Sequence, residues 1–158
     1  MPPKKRPTRR TSRERLPRQR VSIDFAVLGD FAQAAGGKLT IVGAGWTIVN
    51  AQQYPQALPF GLGIGILVPW SETNAPHEFA FVIQDADGTQ LASGGGRVEA
   101  GRQAGIPVGM PQRVVLGIAG QMVLPKPGTY VIVVTAAGDE KRIVFEALPV
   151  PALRLGPG

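Results

Sequence analysis

Cysteine is missing from this chain, and with it disulfide staples, thiolate nucleophiles and cysteine-held metals. Histidine occurs once, at His77, so a tetrahedral zinc site lacks its ligands and a hydroxyl nucleophile has a single imidazole to draw on. Aromatic residues make up only 6%. No apolar run reaches the roughly 18 residues of a membrane-spanning helix. The Arg9-Arg10 pair is followed by polar and charged residues apart from Leu16 and Pro17, so the apolar segment of a twin-arginine export signal does not follow it. These absences lead us to expect no enzyme, no cofactor and no metal, in a cytoplasmic protein without a membrane span.

Glycine and proline are in excess, 21 and 15 residues of 158, beside 44% hydrophobic residues. The apolar fraction is enough for one core, and the turn-forming excess favours short strands over helical layers. Charge is unevenly placed. Residues 1–20, MPPKKRPTRRTSRERLPRQR, hold nine Lys or Arg and one acid, a net +8, while the other 138 residues hold eight basic and ten acidic side chains, a net −2. Four prolines, dense like charge and no periodicity predict a disordered basic tail over residues 1–20. Its cations, Lys4, Lys5, Arg6, Arg9, Arg10, Arg13, Arg15, Arg18 and Arg20, are candidate contacts to nucleic acid or an anionic surface. With no aromatic residue for base stacking, that contact is expected to be nonspecific.

Strand signals fill residues 21–149, and 150–158 reads as a flexible C-terminus. The final hairpin is the plainest: Tyr130 to Val134 are apolar, Ala136 to Asp139 break the pattern, and Ile143, Val144 and Phe145 resume it. In VSIDFAVLG, 21–29, alternation puts Val21, Ile23, Phe25 and Val27 on one face. Asp30 to Ala35 reads as a turn closing on Gly36-Gly37, followed by a strand from Lys38 to Val42. Gly43-Ala44-Gly45 permits a sharp turn that lays Trp46 onto the domain. Asp85-Ala86-Asp87-Gly88 carries turn chemistry between two more strands, and Gly94-Gly95-Gly96 signals a bulge or close approach.

Phe60 to Val68 alternates most regularly. Phe60, Leu62, Ile64, Ile66 and Val68 form an apolar face, and Gly61, Gly63 and Gly65 occupy the other. Three glycines on one side of a strand leave a flat backbone strip whose entropic cost something must offset: a large side chain such as Trp46 or Trp70, a partner subunit or a ligand. Arg113 to Leu124 repeats the pattern with Gly117 and Ala119. The candidate interaction patch is therefore Trp46, Gly61, Gly63, Gly65, Trp70, Gly117 and Ala119, provided that the two strands are neighbours.

Eight strands joined by Gly- and Pro-rich turns, with no helical periodicity between them, predict an all-β antiparallel β-sandwich. The run SIDFAVLGDFAQAAGGKLTIVGAGW at 22–46, with LPFGLGIGILVPW at 58–70 and Pro127-Gly128-Thr129-Tyr130, resembles a family of uncharacterised bacterial β-sandwich domains. The resemblance covers about residues 22–146 and implies the fold, with no activity or site residue attached.

Other motifs find structural explanations. Gly61-x-Gly63-x-Gly65 runs on into strand residues instead of opening a helix, which removes the dinucleotide reading. Asp85 and Asp87 are explained by their turn. Asp24 is expected to pair with Arg97, Arg113 or backbone donors. A noncatalytic module acting through protein contacts, as an interaction domain or homo-oligomer subunit, accounts best for this inventory. The alternative is nonspecific binding of polyanions through the tail.

Overall fold

The structure, a computed structural model, describes residues 19–151. Ten strands run in chain order: β1 Ser22–Gly29, β2 Phe31–Ala35, β3 Lys38–Val42, β4 Ile48–Ala51, β5 Gln56–Val68, β6 Pro76–Asp85, β7 Gln90–Glu99, β8 Gln112–Leu124, β9 Gly128–Ala136 and β10 Asp139–Pro149. They form a three-stranded sheet in the order β1-β5-β8, a five-stranded sheet in the order β4-β10-β9-β6-β7, and the separate hairpin β2-β3. The two larger sheets pack face to face as a sandwich and do not close into a barrel. Every pairing is antiparallel except β10 with β4.

The core lies where the alternating faces meet. Leu62, Ile64, Ile66 and Val68 of β5 and Met122 and Leu124 of β8 press against Ile83, Ile132, Val134 and Phe145 of the opposite sheet. At one end Phe145 stacks on Tyr130, with ring centroids 5.5 Å apart, and Trp46 meets Phe145 edge-on at 5.4 Å. The glycine-flanked turn thus lays the indole onto the domain. The Tyr130 hydroxyl donates to the Lys126 carbonyl at 2.6 Å, which ties the Pro-Gly turn to the strand it introduces. Tyr130→Phe keeps the ring but orphans that carbonyl. We expect it to cost about 1 to 2 kcal/mol in urea denaturation, with no change of fold by circular dichroism.

Turn chemistry fixes the hairpins. Gly36 and Gly37, with φ of +57° and +71°, form a two-residue turn of the kind that matches strand twist, as do Ala137 and Gly138 at +46° and +88°. The first of these corrects the reading of Asp30 to Ala35 as a turn. With only Gly36-Gly37 between them, Phe31–Ala35 and Lys38–Val42 pair residue for residue, from Phe31 opposite Val42 to Ala35 opposite Lys38. The Asp85 carboxylate accepts the N–H groups of Asp87 and Thr89, both at 2.9 Å, as the turn reading required.

Strand β1 departs from simple alternation. Its register with β5 shifts between Ile23 and Phe25, so Ile23 faces the core and Phe25 and Val27 face outward, while Ala26 and Leu28 lie opposite Ile64 and Leu62. The extra residue is Asp24, whose carboxylate meets the Arg113 guanidinium at 2.7 Å. A one-residue bulge moves every following side chain to the other face, which no alternation count can anticipate.

Four of the six phenylalanines sit directly opposite a glycine: Phe25 and Gly65, Phe60 and Gly120, Phe79 and Gly96, Phe81 and Gly94. In each pair the ring folds over its glycine, and a Cβ at Gly94 would lie 2.5 Å from Phe81 Cε1. The ring covers backbone that a side chain would otherwise shield, offsetting the weakness of glycine in a strand. Gly94 to Gly96 accordingly keep regular register. The irregularity in that ladder lies between Ile83 and Gln84.

Candidate functional site

The two small-residue strands are neighbours. Gly61 pairs with Ala119 and Gly63 with Gly117, which makes one flat strip on the outer face of the three-stranded sheet. The chain fills that strip itself. A Cβ on Gly61 would strike the backbone of Phe31 and Ala32, and one on Gly117 would lie 2.5 Å from Gln33 Cα and C. Leu39 and Ile41 reach down to Gly63, and the Phe25 ring covers Gly65. The β2–β3 hairpin is therefore a third layer seated backbone to backbone on β5 and β8; Gly61 and Gly63 are buried under it and Gly65 under the Phe25 ring. This corrects the expectation that these glycines meet a partner, a ligand or a tryptophan. Trp46 belongs to the core end described above. Trp70 lies elsewhere, beneath the Arg102 guanidinium at 4.5 Å, and Arg102 also donates to Thr73 Oγ1 at 2.7 Å and to the Trp70 carbonyl at 3.1 Å.

Polar side chains of the domain are engaged in structure. His77 Nε2 is 2.7 Å from the Glu72 carbonyl, and Glu78 pairs loosely with Arg97 at 3.4 Å on the exposed face. The Tyr54 hydroxyl donates to the Leu148 carbonyl at 2.8 Å; its pKa is raised, first by burial and then by the neighbouring Tyr130. Among the described residues no group of three or more His, Asp or Glu side chains is placed to hold a metal ion. Of the tail cations, Arg20 lies within the described residues, and Lys4, Lys5, Arg6, Arg9, Arg10, Arg13, Arg15 and Arg18 lie outside them. No helix among the described residues is long and apolar enough to cross a membrane.

The opposite outer face behaves differently. On the five-stranded sheet, Val144 lies beside Val131, and Arg142, Val133 and Val82 form the next row. Ile48 and Leu148 extend this apolar stripe toward β4, with Val144 52% and Ile48 53% exposed. A solvated antiparallel face ordinarily alternates to polar residues, and these valines break that rule. At the β6–β7 end the stripe runs into a hollow of about 480 Å³ floored by Ala80, Thr135 and Gly138 and flanked by the Glu78–Arg97 pair. Among the described residues no strand or hairpin lies over this face. The sequence did carry a signal for it: Tyr130 to Val134 is apolar without interruption, the mark of a strand with two apolar faces.

A sandwich whose one outer face is roofed by the β2–β3 hairpin and whose other outer face carries an apolar stripe defines an all-β sandwich domain. Residues 24–146 match the domain family described as "Family of unknown function (DUF6941)", and the chain belongs to that family. No curated protein matches it.

Proposed function

We infer that this domain is a noncatalytic protein-interaction module and that its contact surface is the outer face of the five-stranded sheet. The observation that carries the reading is the asymmetry of the sandwich. Both outer faces are apolar or small enough to demand cover, yet among the described residues a hairpin covers one of them alone. Contiguous apolar surface rimmed by polar groups marks contact sites, and here Arg142, Glu140, Glu146 and Gln84 provide the rim around the valines. The hollow beside Ala80 suits one anchoring side chain of a partner. The structural engagement of Asp24, Asp85, His77 and Glu78 supports a noncatalytic role, since each already has a partner that explains it.

The test is Val133→Arg at the centre of the stripe. Its side chain lies half-buried on the outer face, where the Arg stem can run along the surface with its head in water, so the thermal midpoint should stay within about 5 °C of the parent. Affinity capture with parent and variant side by side should show a protein retained by the parent and lost by the variant. Equal retention by both would remove this face from consideration.

A further inference from the structure

The five-stranded sheet ends on one side in β4, and the edge of β4 carries a second kind of surface. The Glu146 N–H donates to the Thr47 carbonyl at 2.8 Å and the Val150 N–H to the Ala51 carbonyl at 3.0 Å. By alternation along a parallel ladder, the backbone groups of Thr47, Val49 and Ala51 face β10, and the N–H and C=O of Ile48 and Asn50 face away from it. No strand among the described residues pairs with those outward groups. An edge left like this is a template for another strand unless charge, proline or a bulge blunts it. The strand Ile48–Ala51 contains no charged residue and no proline, and the first proline after it is Pro55, beyond the strand. The other edge of the same sheet, β7, is blunted in the ordinary way, with Arg97, Glu99 and three glycines.

We propose that β4 is the seam of a two-fold symmetric dimer, in which a second copy of the chain adds its own β4 antiparallel to this one. With Val49 on the axis, Ile48 stands opposite Asn50 of the second copy and Asn50 opposite its Ile48. Both residues of each pair present outward backbone groups, as a hydrogen-bonded antiparallel pair requires, and the two five-stranded sheets join into one. Three observations select a second copy over a foreign strand. A two-fold interface must be self-complementary, and a neutral edge meets its own image without like-charge repulsion. Beside the edge lies a cleft of about 510 Å³ lined by Asn50, Gln52, Gln53 and Gln56, four amides that are each donor and acceptor and can pair with their own kind. Ile48, Leu148 and Val150, which are 53%, 40% and 44% exposed, flank the edge and are brought together with their counterparts across the axis. This contact goes beyond the broad-face reading and does not depend on it.

The experiment is sedimentation equilibrium on the full chain over a concentration series reaching about 100 µM. The expected mass at the upper end is twice the 16.7 kDa of the chain. Asn50→Pro removes one outward donor from an extended edge position where proline is tolerated, and should weaken self-association at least tenfold. Ile48→Lys, which leaves the backbone untouched, should do the same and covers the case in which the proline variant does not fold. Val133→Arg should leave the dimer intact, so failure of the seam and failure of the broad face are separable. A full chain that stays monomeric throughout the series overturns the proposal. So does a dimer whose strength is the same in Ile48→Lys and the parent.

Discussion

Gly61→Ala is expected to destabilise this domain by about 3 kcal/mol or more, the upper end of what overpacking costs and far above an ordinary glycine-to-alanine change in a strand. The reason is what the new methyl group meets. At Gly61 it would overlap the Phe31 carbonyl carbon and the Ala32 nitrogen, which are backbone atoms of a hairpin pinned by its own ladder. No rotamer change relieves that overlap, so the β2–β3 layer must lift, exposing Ala32, Leu39 and Ile41. Gly63→Ala is the control. Its methyl would lie 2.7 Å from Leu39 Cδ2, the far end of a side chain that can rotate away, and about 1 kcal/mol is the expected cost. Urea denaturation gives the two magnitudes, and hydrogen exchange across residues 31–42 reports the lifting. Equal, small losses in both variants would mean that the hairpin is not seated on the strip.

Phe145→Ala removes the ring that joins the two aromatic contacts at the core end, and a loss of about 3 to 5 kcal/mol is expected. Phe145 is 1% exposed, stacked on Tyr130 with an interplanar angle of 18° and met edge-on by Trp46 at 80°. The cavity would open beneath the segment that carries the chain from the hairpin across to β4, so Trp46 should gain mobility and its emission should shift to the red. A Trp70→Phe background isolates that signal. Phe145→Leu, which refills part of the space, should recover much of the loss. Stability unchanged in the alanine variant would contradict the packing described here.

Much of the sandwich was legible as alternation. Phe60 to Val68 put its apolar residues on the core face, and the hairpin at Ala136 to Asp139 formed where the pattern broke. The Asp24 carboxylate found Arg113 among the partners its half-polar strand demanded. These features are local, or depend on one ion pair, and period two is set by the backbone itself. The candidate site was legible only in part. Gly61, Gly63 and Gly117 announced a close approach, but the same glycines serve a partner, a ligand or the chain's own backbone equally well, since each requires only the absence of a Cβ.

Composition and pattern by themselves determined that this chain is all-β, that its excess of positive charge sits in residues 1–20, and that cysteine chemistry is closed to it, because these follow from residue type and spacing. The tertiary structure alone decided which faces are covered. A bulge at Asp24 turns Phe25 outward, a two-residue glycine turn makes a strand of Phe31–Ala35, and the hairpin it forms roofs the glycine strip, while no other described strand covers the valine face or pairs with the β4 edge. Alternation states that a face exists. What lies over it is settled by contacts between residues distant in the chain, where one inserted residue or one close backbone crossing decides the outcome.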